Sequence, residues 1–373
     1  CQRGHETLLE LEREYHGKIR IAYKAFPLDF HPHAMIAALA VRTAQAEGKF
    51  WQFHDRLLSQ RGLDFEKIQQ YAQEVGLNLD VLAQDLQALK YGASVRRDMR
   101  QAYRLGVRGT PAYYINGRRV SGAKPKEVLR EMIDEEIALA DQWRAKGIAG
   151  DKLYAYAIED GYREVAFKDA RKRLRPDKIY NVPVGSAPQR GPATAPVTII
   201  AFGDFECPFC ARGNDTVEQM RLRYGNQVRV VYRNYPLPFH SHAFLAARGS
   251  MYAQAQGKFW EFHDALYALR AEFDEDVLVE VARKVGMAAK PFREALHSDR
   301  FDAKILGDQN LARKVGVTGT PAYFVNGRVI NGAAPPLEFR LAIEEELQRA
   351  SAAIASGVAP EKLYEHLVSE QAL

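Results

Sequence analysis

The chain has 373 residues, 52 of them basic and 47 acidic, giving a formal net charge of +5, and 47% are hydrophobic. That is globular composition at about twice the length of an ordinary domain. Three cysteines are too few for a disulfide framework and cannot all pair internally, and no apolar run reaches the roughly 18 residues a membrane-spanning helix needs.

The excess positive charge is local. Residues 162–196 hold eight basic and three acidic residues, centred on Arg171-Lys172-Arg173-Leu174-Arg175. Acidic Glu164, Asp169 and Asp177 interleave with them, and no aromatic or groove-reading pattern accompanies them. The stretch reads as a solvated helix or hinge and gives no support for nucleic-acid binding.

In chain order, the sequence repeats itself. Residues 26–59 open with Phe26-Pro27-Leu28-Asp29-Phe30-His31-Pro32-His33-Ala34. They return at 235–268, opening Tyr235-Pro236-Leu237-Pro238-Phe239-His240-Ser241-His242-Ala243, with 19 identities in 34 positions. The run Gly109-Thr110-Pro111-Ala112 returns as Gly319-Thr320-Pro321-Ala322. The tails Asp151-Lys152-Leu153-Tyr154 and Glu361-Lys362-Leu363-Tyr364 also match. A unit near 200 residues is a duplicated domain and not a solenoid repeat. The expected organisation is a first domain over 1–161, a basic helical or extended linker over 162–181, and a second domain over 182–373.

The second copy reads clearly. Prolines and glycines between Pro176 and Pro196 predict an extended lead-in. Val197-Thr198-Ile199-Ile200-Ala201-Phe202 predicts a buried strand, followed by Cys207-Pro208-Phe209-Cys210 and a helix to about Tyr224. A second strand is expected from Gln227 to Tyr235, and helical spacing throughout 241–315. Two strands, 322–326 and 328–331, flank the hairpin signal Asn326-Gly327, and a helix follows over 336–350.

C-x-x-C at the start of a helix has a defined chemistry. Helix-terminal amides favour a thiolate on the first sulfur, which attacks a disulfide; the second cysteine, one turn on, resolves the mixed disulfide. Cys207 is the expected exposed nucleophile and Cys210 the more buried resolving thiol. A four-ligand zinc site is disfavoured, because no second C-x-x-C or H-x-x-x-H accompanies the pair.

Phe205-Glu206-Cys207-Pro208-Phe209-Cys210 after a strand, with Thr320-Pro321 before a hairpin, resembles the DsbA-like thioredoxin-fold thiol–disulfide oxidoreductases. The resemblance covers residues 182–373. It implies an α/β protein of two thioredoxin-like, DsbA-type domains, each with a helical insertion. It also implies that Thr320-Pro321 is a cis bond packed against the cysteines, and that the Thr320 backbone pairs with substrate peptide. Pro208 and Phe209 then belong to the same substrate-facing surface. Phe209 stands where the strongly oxidising namesake has histidine; a phenyl ring cannot donate to a thiolate. Glu206 beside Cys207 is expected to raise its pKa if it lies close.

The first copy is broken at its start. Cys1 aligns on Cys210, so it matches the second cysteine of a C-x-x-C whose first half is absent, as is the match to 197–203. Cys1, Thr110 and Pro111 form the expected degenerate site. Two readings of Cys1 are open. Either the sequence begins inside a longer protein with a second C-x-x-C and an export signal, or Cys1 is the lipid-bearing first residue of a lipoprotein. The repeat alignment favours the former, and predicts one strand fewer in domain 1.

Several motifs are set aside. His31 with His33, and His240 with His242, form H-x-H pairs that could ligate metal with His263 or a cysteine, but read better as caps of the helical insertion. Trp51 and Trp260 in F-W-x-F-H-D have helical spacing and read as packing. No nucleotide, zincin or serine-hydrolase motif is present. The expected function is exchange of protein thiols and disulfides through Cys207-Cys210 in either direction, with no cofactor and no metal. Its expected partners are protein or peptide substrates and, for recycling, a membrane quinone-linked oxidase or a reductase. The expected location is periplasmic or otherwise extracytoplasmic, with a membrane tether through upstream residues as one arrangement. The alternatives are a peptide-binding holdase or adaptor, and a metal carrier.

Overall fold

The computed structural model describes residues 1–59, 62–159, 174–270 and 273–369. The chain divides into two compact units, Cys1–Ala170 and Arg171–Leu373. Most of the expected linker, with the basic run Arg171-Lys172-Arg173, lies outside the described residues.

Unit 2 is built on a five-stranded sheet. Its strands are β3 (Gln189–Arg190), β4 (Val197–Gly203), β5 (Val228–Asn234), β6 (Ala322–Val325) and β7 (Arg328–Asn331), numbered after the two strands of unit 1. The order is β3-β5-β4-β6-β7. β4 pairs in parallel with β5 and antiparallel with β6. It is buried along its whole length, which is why its residues run apolar without alternation. The parallel β4–β5 pair needs a crossover, supplied by α9 (Pro208–Tyr224). Between β5 and β6 come α10 (Ala243–Ala255), α11 (Phe259–Ala268), α12 (Glu275–Lys284), α13 (Ala289–His297) and α14 (Asp302–Val315), again numbered after unit 1. The chain then closes with α15 (Pro336–Ala355) and α16 (Leu363–Ser369).

Local chemistry explains the boundaries. Asp274 caps α12 by accepting from the Val277 amide at 2.9 Å. Gly316 ends α14 in the left-handed conformation and so turns the chain toward Thr320. Asn326 and Gly327 both have positive φ, 43° and 82°, as a two-residue type I′ turn requires. Asn326 is also fully buried: its side-chain oxygen accepts from the Thr198 amide at 2.8 Å, tying the hairpin to β4. Residues 174–181, read from sequence as linker, lie against this hairpin, with Ile179 bridging Arg328 and the Tyr180 amide donating to the Gly327 carbonyl at 2.8 Å.

Unit 1 contains α1 (Gln2–Glu14), α2 (Ala34–Ala46), α3 (Phe50–Leu58), α4 (Phe65–Glu74), α5 (Leu79–Gln87) and α6 (Gly92–Arg104). A hairpin, β1 (Ala112–Ile115) and β2 (Arg118–Ser121), leads to α7 (Lys126–Ala145) and α8 (Leu153–Glu159). These elements follow the plan of unit 2, and the helices α2–α5 carry their own apolar core around Phe53, Ile68 and Tyr71. The sheet differs by more than the single strand expected from sequence. Among the described residues, β1 and β2 are the whole sheet. Residues 19–25, which match β5, are not laddered. β5 holds its place by pairing with β4 on one side and β3 on the other. Where neither neighbour is present, an extended segment has no ladder to join. Side chains hold it instead. Asp98 is buried, accepts from the Ala25 amide at 3.1 Å and pairs with Arg42. The matching Asp308 accepts from the Asn234 amide at 3.1 Å and pairs with Arg233.

Candidate active site

The dithiol sits where β4 ends and α9 begins. Cys207 is the N-cap of α9 and Pro208 its first residue, a position that needs no amide hydrogen. The Cys210 and Ala211 amides donate to the Cys207 carbonyl at 2.9 and 3.3 Å, so the motif itself starts the helix. Thr320-Pro321 is cis, and the Cys207 thiol donates to the Thr320 carbonyl at 3.6 Å. Cys207, Cys210, Thr320 and Pro321, expected together from sequence, are therefore brought to one place.

The two thiols differ sharply in acidity. Cys207 is lowered from the ordinary 9.0 to about 5. The largest cause is a hydrogen bond from the Cys210 side chain; burial opposes it, and the Cys210 amide, the Thr320 side chain and the Phe209 amide add to it. The buried Thr320 hydroxyl faces both sulfurs, which places it as a donor to the thiolate. Cys210 is pushed well above 9.0, first by burial and then by the neighbouring Cys207 sulfur. The Asp204 amide donates to its sulfur at 3.4 Å.

Three expectations are corrected. Cys207 is not an exposed nucleophile: it is 5% exposed, against 2% for Cys210. The Gly319-Thr320-Pro321 loop lies against it, with the Thr320 carbonyl on the sulfur. Glu206 does not act on Cys207. Its carboxylate turns away, accepting from the His242 amide at 2.8 Å and lying 3.4 Å from His242 Nδ1. The histidine pairs do not cap through their side chains either. His33 and His242 occupy the N-cap positions of α2 and α10 without a side-chain cap bond. The His242 ring is turned to the Glu206 carboxylate instead.

Phe209 is 53% exposed at the mouth of the site, with the Arg212 guanidinium 4.5 Å from its ring centre. Trp51 is 41% exposed, whereas Trp260 packs on the core and donates to the Gln189 carbonyl at 2.9 Å.

Sequence reasoning missed the groups behind the dithiol. Asp204 is buried and holds the β4–α9 turn in shape. One oxygen accepts from the Glu206 amide at 2.8 Å; the other accepts from the Leu237 amide and meets His240 Nδ1, each at 2.8 Å. Tyr232, Tyr267 and Tyr323 are buried around it, and burial keeps their hydroxyls protonated by raising their pKa well above 10.0. Tyr232 and Tyr267 share a hydrogen bond of 2.9 Å, and Tyr267 donates to the Asp204 carbonyl at 3.3 Å. The one signal in the sequence was an acidic residue three positions before Cys207, where an apolar turn would otherwise be expected.

Gly213 explains how closely α9 approaches β6. A Cβ there would stand 2.1 Å from the Tyr323 hydroxyl. Unit 1 repeats the contact, with Gly4 facing Tyr113 at 2.0 Å. In unit 1, Cys1 is exposed, donates to Thr110 Oγ1 at 3.2 Å, and Thr110-Pro111 is again cis. Cys1, Thr110 and Pro111 thus keep the placement of Cys210, Thr320 and Pro321.

The family profile of the DSBA-like thioredoxin domain matches residues 30–134 and 198–344. The chain belongs to this family. Both units carry a match, so the chain is a tandem DsbA-like protein with two thioredoxin-fold regions. Curated relatives include a protein named Na(+)/H(+) antiporter NhaA 3 from Salinispora tropica, 39% identical over 144 residues, covering 38% of this chain and 22% of that protein. One named Na(+)/H(+) antiporter NhaA 1 from Mycobacterium sp. (strain KMS) is 32% identical over 142 residues, covering 37% and 23%. The chain spans about a fifth of the length of these relatives. Among the described residues, no helix is long and apolar enough to cross a membrane. Similar solved structures include BdbD from Bacillus subtilis, 26% identical with a TM-score of 0.43, covering 46% of this chain and 97% of that one. A thioredoxin-like oxidoreductase from Silicibacter pomeroyi is 29% identical with a TM-score of 0.41, covering 46% and 96%.

Proposed function

We propose that the chain catalyses thiol–disulfide exchange on protein or peptide substrates at Cys207-Cys210. The observation that carries this reading is the placing of Cys207 at the N-cap of α9, with Cys210 one turn on and the cis Thr320-Pro321 loop against the Cys207 sulfur; the opposed acidity of the two thiols, one lowered to about 5 and its neighbour raised, accompanies it. At neutral pH such a pair presents one ready nucleophile and one held in reserve. In reduction, the Cys207 thiolate attacks a substrate disulfide and expels one substrate thiolate. Cys210 then loses its proton, attacks the Cys207 sulfur and releases the second substrate thiol. The pair ends as a disulfide, with two electrons passed to the substrate. In oxidation every step runs backward.

The acid Cys207 supports the oxidising direction. A stabilised thiolate stabilises the reduced pair, and so makes its disulfide a stronger oxidant. The low value is reached without a side-chain donor at Phe209, because Cys210, the backbone amides and Thr320 supply the donors. Thr320 and Pro321 shape the groove in which substrate peptide lies, with Pro208 and exposed Phe209 at its rim. Disulfide donation suits a periplasmic or other extracytoplasmic compartment, where a membrane quinone-linked oxidase would restore the disulfide. Reoxidation of reduced ribonuclease tests the reading: the wild-type chain accelerates recovery of activity and Cys207→Ser does not. Equal rates for the two proteins would end it.

Unit 1 supports a second role for itself. It keeps a cis Thr110-Pro111 that matches Thr320-Pro321, which supports a peptide-holding role for this unit.

A further inference from the structure

Both units contain the same dipeptide at the same place on the third helix of the plan, His54-Asp55 on α3 and His263-Asp264 on α11. In both, the histidine is buried and its Nδ1 meets the following carboxylate, at 3.0 Å in unit 1 and 2.8 Å in unit 2. What faces the carboxylate differs. In unit 2, Arg190 donates to Asp264 Oδ2 at 2.6 Å and lies over the Trp260 ring at 4.5 Å, so a fixed cation already fills the position. Asn214 stands on the neighbouring helix.

In unit 1 the match to Asn214 is His5, on α1 one turn beyond Cys1. Its Nε2 is buried and lies 2.9 Å from Asp55 Oδ1, yet it makes no hydrogen bond. The His5 side chain is 13% exposed and that of His54 8%, while Asp55 is open to solvent at 39%. Tyr23 and Phe50 stand against the His54 ring, at centroid distances of 4.9 and 5.5 Å, and fix its orientation. One ligand atom from each of His5, His54 and Asp55 lies within 4.8 Å of the others, a grouping that among the described residues occurs here. Tetrahedral zinc, with bonds of about 2.0–2.1 Å, sets its ligands about 3.3 Å apart. The present spacing reaches that with small side-chain rotations.

We propose that unit 1 binds a zinc-type divalent cation through His5, His54 and Asp55, with an open fourth position on the solvent side of Asp55. Two imidazoles and a carboxylate suit zinc in preference to calcium or magnesium, which take oxygen ligands. His5 is the residue that makes the site: it brings a second nitrogen from a different helix to a His-Asp pair that unit 2 neutralises with an arginine.

The test uses the tag-free full chain carrying Cys1→Ser, Cys207→Ser and Cys210→Ser, so that thiols contribute no ligand. Zinc binding is measured by titration calorimetry, with cobalt(II) absorbance as a second probe. The expected result is one bound equivalent, an unfolding midpoint that rises with zinc, and affinity at least about tenfold weaker in His5→Asn and in Asp55→Asn. Asparagine at residue 5 is the residue unit 2 carries in its place, and an unchanged zinc-free midpoint confirms that the variant folds. Asp264→Asn is expected to leave binding within about twofold. The proposal is overturned if no zinc binds at about 100 μM. It is equally overturned if binding survives both unit 1 substitutions, or if Asp264→Asn abolishes it.

Discussion

Cys210→Ala removes the largest single support of the Cys207 thiolate, and the consequence can be worked out. Cys207 stands at about 5, with the Cys210 side chain as leading cause. A hydrogen bond to a charged group contributes about 1.5–3 kcal/mol. At 1.36 kcal/mol per pKa unit, its loss raises Cys207 by about one to two units, to about 6–7. The Cys210 and Phe209 amides and Thr320 remain, which is why the value should stop short of 9.0. Thiolate absorbance near 240 nm, titrated with Cys1→Ser in the background, reads this directly. Cys210→Ser keeps an O–H donor at the same place and should hold Cys207 close to 5. A Cys210→Ala titration that still falls at about 5 would refute the reasoning, as would Ser and Ala variants that move equally.

Three further outcomes follow from the same geometry. The acidity of Cys207 predicts a pH dependence of definite sign: its folded value is depressed, so the thiolate's stabilisation of the reduced protein is fully present above the unfolded value near 9.0 and is lost as pH falls through about 5. The thermal midpoint of the reduced form, compared with that of Cys207→Ser, should therefore gain between pH 5 and 9; a flat difference contradicts it. Gly213→Ala places a methyl 2.1 Å from the Tyr323 hydroxyl and should cost about 1–3 kcal/mol in denaturant unfolding, because both α9 and β6 are fixed by packing. Glu346 is fully buried between Arg328 and Arg349, each at 2.6 Å, and Glu346→Ala leaves the buried Arg328 its longer contact to Glu345 at 3.4 Å; about 3 kcal/mol of stability should be lost.

The parts of this fold legible in sequence are those governed by neighbours in the chain. Val197–Phe202 forms β4 because an unbroken β-branched run suits a strand buried on both faces. Asn326-Gly327 makes the hairpin because both residues tolerate positive φ. Pro208 after Cys207 starts α9. Helical spacing over 241–315 gave the helical character of the insertion but not its five separate helices, since their ends depend on packing and on caps such as Asp274.

What was not legible depends on contacts made across the chain. Asp204 meets His240 and Leu237 only after β5 is laid beside β4. Glu206 precedes Cys207 in the chain, yet the same fold turns its carboxylate to His242. Burial of Cys207 comes from the Thr320 loop, 113 positions away. Residues 19–25 carry the pattern of β5, and a strand needs partners as well as pattern. His5 joins His54-Asp55 in the same way, through the approach of α1 to α3, which no local motif announces.

Trapping of the mixed disulfide tests the assignment of roles at the dithiol most directly. A reduced chain carrying Cys1→Ser is mixed with a disulfide-bonded peptide, quenched in acid and weighed by mass spectrometry. With Cys210→Ser, the peptide should remain attached through Cys207, because nothing is left to resolve it. With Cys207→Ser, no adduct should form at neutral pH, since the remaining Cys210 thiol is buried and held protonated. An adduct that accumulates on Cys210 and not on Cys207 would contradict the assignment of nucleophile and resolving thiol.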